Sequence, residues 1–118
     1  MVARSIHHLG IAVHDLDEAV ETYRRLFGAE LEHRAEVDDQ GVEAAAVLVG
    51  PSRVELLAPL GADTPVGRFL AKRGRGMHHV AYEVADVGAA LAELEAAGAE
   101  LVDASPRQGL FGLQVAFV

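Results

Sequence analysis

One seven-residue pattern occurs twice in this chain, and the repeat limits how the chain can fold. His7-His8-Leu9-Gly10-Ile11-Ala12-Val13 returns as His78-His79-Val80-Ala81-Tyr82-Glu83-Val84, an offset of 71 residues. The match continues to Asp15 and Asp86. Each copy alternates between two faces, as a strand does. His7, Leu9, Ile11 and Val13 share one face of the first copy, and His8, Gly10 and Ala12 share the other. His79 and Ala81 fall on the matching small-residue face of the second. That face has no bulky side chain to fill a core, so it reads as the floor of a cavity with a histidine at its rim. A single strand histidine is more often a hydrogen-bonded structural group than a ligand. Two at matched places in a repeat are different, because halves packed about a pseudo-twofold axis bring matched positions together. Two imidazoles meeting there form a plausible metal pair.

The segments between the copies follow short-range rules. Asp15 reads as an N-cap with Glu18 in the capping-box position, and Gly28 closes the helix that follows. Residues 29–36 and 41–49 read as strands joined by a turn at Asp38-Asp39-Gln40-Gly41, and 53–58 as a fourth strand. Thr64 followed by Pro65 starts a short amphipathic helix that ends at Gly74-Arg75-Gly76. After the second strand copy, Asp86 caps another helix and Gly98 stops it. Residues 99–103 read as a strand, 105–112 as a loop and 113–118 as a strand.

The fold expected is therefore α+β in a single domain over 1–118. It has paired β-α-β-β-β modules, the first about 4–60, a connector 61–76, and a second module over 77–118. Glu55 follows His8 by 47 residues, and the matching position after His79 lies beyond Val118. The second module is thus expected to lack its last strand in this chain, either truncated or incompletely recorded, with an open sheet edge.

Composition narrows the chemistry. The chain has no cysteine, so any metal is held by nitrogen and oxygen. A net charge of −8 argues against nucleic acid, and no apolar run approaches membrane-spanning length. A soluble, cytoplasmic protein is the expectation. Glu55 sits in Arg53-Val54-Glu55-Leu56-Leu57, a mostly apolar strand, where an ionised carboxylate needs a partner. A metal is one candidate; Arg53 or a surface position is another. His8, His79 and Glu55 together would suit Co, Mn, Fe, Ni or Zn.

Read together, the motifs resemble the vicinal-oxygen-chelate superfamily, which includes glyoxalase I, extradiol dioxygenases and antibiotic-resistance proteins. Within it the chain is most similar to the methylmalonyl-CoA epimerases. The likeness runs through His8-Leu9-Gly10-Ile11-Ala12-Val13, Gln40-Gly41-Val42 and Glu55-Leu56-Leu57-Ala58-Pro59-Leu60. It continues through Asp63-Thr64-Pro65-Val66, Gly76-Met77-His78-His79-Val80-Ala81, and Pro106-Arg107 with Val115-Ala116-Phe117. The resemblance implies metal ligands at His8, Glu55 and His79, with Co(II) first among the divalent ions. It also implies a final-strand glutamate ligand, for which this chain has no counterpart.

The implied reaction interconverts (R)- and (S)-methylmalonyl-CoA by proton transfer at the carbon between thioester and carboxylate. In some family members a glutamate on the strand after Gln-Gly-Val is an acid or base. Ala44 holds that position here, and Glu43 lies one residue off, on the other strand face unless a bulge brings it round. The acid and base therefore stay unassigned. Arg68, Lys72, Arg73 and Arg75 read as a patch for the CoA phosphates or as a solvated helix end, and Arg107 is similar. His7 and His78 are expected on the opposite face, packed against helices, and His14 and His33 at the surface. The rivals are another superfamily enzyme, such as an Fe(II) dioxygenase or a glyoxalase, and an inactive ligand-binding copy. The incomplete module favours a homodimer.

Overall fold

A computed structural model describes residues 3–118. β1 (Ser5–Ala12) leads through Asp15 into α1 (Leu16–Phe27). The Asp15 carboxylate accepts the Glu18 amide at 2.9 Å, and Gly28 closes the helix in the left-handed region at φ 65°. β2 (Glu30–Val37), β3 (Val42–Val49) and β4 (Ser52–Pro59) follow. The turn between β2 and β3 is one short 3-10 segment, Asp38–Gln40, ended by Gly41. α2 (Pro65–Arg73) starts with Thr64 capping Gly67 and Pro65 in the first turn. β5 (Gly76–Glu83) comes next, then α3 (Val87–Ala96), capped by Asp86.

Five strands form one sheet in the order β2-β3-β4-β1-β5. β1 and β4 run parallel, because α1 and the β2–β3 hairpin return the chain to the same end. β4 pairs with β3 without interruption from Val42↔Pro59 to Val49↔Ser52. One face of this sheet carries Ala45, Val47, Leu56 and Ala58, and α1 closes it with Leu16, Val20 and Tyr23. That alternation is the sequence pattern made physical: odd and even positions separate onto two faces.

The described chain divides into two compact units, His7–Ala81 and residues 3–6 together with Tyr82–Val118. In the second, α3 buries Ala90 and Leu91. The strand expected at 99–103 does not form. Val102 and Asp103 both donate their amides to the Phe117 carbonyl at 3.0 Å, and Val102 stays 71% exposed. The strand expected at 113–118 shrinks to β7 (Gln114–Val115), paired with β6 (Arg107–Gln108) across a turn. A ladder needs a long neighbour, and these residues pair over only two positions. No described helix is long and apolar enough to cross a membrane.

Candidate metal centre

The second face of the large sheet carries the site. His8, Gly10 and Ala12 project there from β1, and Glu55 and Leu57 from β4. Glu55 lies across from Gly10 on one side and Ala46 on the other. Both neighbours are small, and the space over Gly10 is taken by the His79 ring. His8 and Glu55 are each only 8% exposed. The face expected to be a cavity floor is covered instead, since Ala12 and Ala46 have no exposed surface and Ala44 has 1%.

His8 occupies the centre of the group. Its Nδ1 lies 3.1 Å from Glu55 Oε2, and its Nε2 lies 3.1 Å from His79 Nε2. The three residues read from the sequence are therefore brought together, in a line with His8 in the middle. His78 Nδ1 approaches His79 Nδ1 at 2.9 Å. The His78 ring also stands edge-on to Phe69 of α2, with centroids 4.9 Å apart, the helix packing expected for it.

His7 departs from its expected place. Its Nδ1 lies 2.9 Å from His8 Nδ1, and its Nε2 lies 3.2 Å from an Arg53 Nη1. His7, His8 and Glu55 each bring one ligand atom within 4.8 Å of the others. Strand alternation concealed this, because neighbours in a strand start on opposite faces and long rings still meet at its edge. Arg53, weighed as the partner of Glu55, instead pairs with Glu32 through two hydrogen bonds of 2.7 and 3.0 Å.

Burial sets the protonation of the group. It lowers His8 to about 3, helped by His79, His7 and Arg53. It lowers His79 to about 4, helped by His78. Burial raises Glu55 to about 7, against the pull of Arg53. The His8–Glu55 contact is thus a hydrogen bond of a neutral imidazole rather than an ion pair. Neutral imidazoles beside a buried carboxyl are donors suited to a divalent cation, and the set whose ligand atoms converge is His7, His8 and Glu55, with His79 on the far side of His8.

The strand position where the resemblance implies an acid or base has no acid here. Ala44 pairs across from Leu57 on the site face. Glu43 faces the other way, and Arg34 holds its carboxylate at 3.1 and 3.2 Å. The unbroken β3–β4 register excludes the bulge that would turn Glu43 toward His8. His14 and His33 are exposed, as expected.

The family model described as Glyoxalase/Bleomycin resistance protein/Dioxygenase superfamily matches residues 7–117, and the chain belongs to that superfamily. An ethylmalonyl-CoA/methylmalonyl-CoA epimerase of Cereibacter sphaeroides is 38% identical over the whole of this chain and 89% of its own length. A Streptomyces coelicolor methylmalonyl-CoA epimerase variant, solved in complex with 2-nitronate-propionyl-CoA, is 39% identical. It superposes with a TM-score of 0.92 over 96% of this chain and 83% of its own. A methylmalonyl-CoA epimerase solved with methylmalonyl-CoA and NH4+ matches with the same identity, coverage and TM-score.

Proposed function

We propose that this chain is a metal-dependent epimerase that interconverts (R)- and (S)-methylmalonyl-CoA. The observation that carries the reading is His8 in direct contact with both Glu55 and His79 on a buried sheet face, in a chain 38% identical to an epimerase. His8, Glu55 and His79 would hold the cation, Co(II) by preference, with Mn(II), Zn(II), Ni(II) or Fe(II) as alternatives. When bound, that ion supplies positive charge where negative charge develops on the substrate oxygens as the C2 proton leaves. Burial keeps His8 and His79 neutral, so their lone pairs are available at neutral pH. Gly10, across from Glu55 in the sheet, gives the space over its backbone to the His79 ring. Neither Ala44 nor Glu43 moves the substrate proton: one has no acidic group and the other is held away by Arg34.

Exposed Arg68, Lys72, Arg73 and Arg75 on and after α2 would meet the CoA phosphates. We place the protein in the cytoplasm as a homodimer, with exposed Val80 and Tyr82 on one face of β5 as apolar surface for association. A monomeric mass in light scattering would remove the dimer.

The test is deuterium exchange at C2 of methylmalonyl-CoA in D2O, with Co(II) and with chelator. Exchange that appears with metal and stops with chelator is expected. Exchange absent under both conditions overturns the epimerase. It would favour a second reading that Ala44 and the turned-away Glu43 support: a superfamily member that binds its ligand without proton transfer.

A further inference from the structure

Gly10 is a glycine of the site face that the backbone does not call for. Its φ lies outside the left-handed region, so a side chain there meets no conformational barrier. The repeat makes the same point, since the matching residue of the second strand copy is Ala81. What excludes a side chain is His79. A Cβ built on Gly10 would overlap Cε1, Nδ1 and Nε2 of the His79 ring, and these are the three atoms nearest to it. The imidazole lies directly against the backbone of β1.

The ring has little freedom to withdraw. His8 meets its Nε2 at 3.1 Å, and His78 meets its Nδ1 at 2.9 Å. His78 is itself set against Phe69. A methyl group on residue 10 would therefore move His79 away from His8 or push β1 out of register with β4, where Gly10 lies opposite Glu55.

We infer that Gly10 is a positioning residue: its missing side chain is the seat that holds the His79 imidazole against His8. Glycine within a strand ordinarily weakens it, so Gly→Ala at an unobstructed strand position is neutral or stabilising. At residue 10 the His79 ring reverses the sign.

The test is a double-mutant cycle of Gly10→Ala and His79→Ala on the metal-free chain, read as melting temperature. Gly10→Ala should lower the melting temperature in the native background. It should leave it unchanged or raise it when His79→Ala is already present. An equal loss in both backgrounds, or no loss in the native one, overturns the proposal. If Gly10→Ala fails to fold and the double variant folds, the seat is confirmed; if both fail to fold, it is refuted. A second arm rests on the metal reading and measures Co(II) affinity by titration calorimetry. Gly10→Ala should weaken binding about 10- to 100-fold although no ligand is changed. If the native chain itself does not bind Co(II), the metal reading falls while the stability cycle still decides the seat.

Discussion

The two halves of the chain begin alike and end differently. Each follows its strand copy with an aspartate-capped helix, and the caps are nearly superimposable in geometry. Asp15 accepts the Glu18 amide at 2.9 Å, and Asp86 accepts the Ala89 amide at 2.8 Å. After α1 come three eight-residue strands, β2 to β4, paired along their lengths. After α3 come two strands of two residues each. The difference teaches that a helix closes its own hydrogen bonds, whereas a strand exists only beside another strand. Ala45 and Leu56 of β3 and β4 have no exposed surface, while Val102 and Val118 of the second half are 71% and 61% exposed.

The largest test of that contrast is truncation of core residues. Leu56→Ala should cost about 2–5 kcal/mol of unfolding free energy, while Val102→Ala should cost less than about 0.5 kcal/mol. Urea titrations of both variants measure this, and similar losses would erase the distinction between the halves.

Removing a donor comes next. Glu55→Leu keeps roughly the side-chain volume but removes both oxygens, and should weaken Co(II) binding by more than about 100-fold. An affinity unchanged by titration calorimetry would exclude Glu55 from the donor set.

Acid should act on the unit His7–Ala81, which holds His8, His78 and His79. His8 and His79 are depressed to about 3 and about 4 in the folded protein. The unfolded chain therefore takes up their protons first as pH falls below about 6.5, and stability falls with it. Glu55, raised to about 7, holds a proton in the folded state that the unfolded chain releases above its ordinary 4.5, and so opposes the trend. Two imidazoles against one carboxyl leave a net uptake of one proton on unfolding, and His78, lowered by its own burial, adds in the same direction. The metal-free protein should then lose roughly 1.4 kcal/mol per pH unit between about 6.5 and 4.5. Thermal melts across that range check the slope, and His8→Gln should flatten it.

The smallest effects are the caps. Asp15→Ala and Asp86→Ala should each cost about 1 kcal/mol. Near-equal losses in calorimetry would confirm that the halves share their local rules and part only in their sheets.

Much of the fold was legible because its signals are short in range. Asp15, Gly28, Thr64-Pro65 and Asp86 act within one turn of helix, and all four sit where their chemistry requires. The repeat offset also carried part of the site, pointing to His8 and His79 as a meeting pair, and the apolar setting of Glu55 marked it as a buried charge. Residues 99–103 misled because strand propensity does not say whether a partner is present. The roles of His7 and Arg53 were hidden for a related reason. His7 reaches His8 although strand alternation starts the two on opposite faces. Arg53 chose Glu32 of β2 across two intervening ladders, a choice that register alone decides.

By itself the sequence determined the helices, their caps, the alternation of the strands and the duplicated histidines, because each depends on residues close together in the chain. Only the tertiary structure decided that Glu43 turns to Arg34, that Ala44 faces the site without an acid, and that His79 lies over Gly10. Each of those depends on which strand lies beside which, and at what register, and no local interaction carries that information.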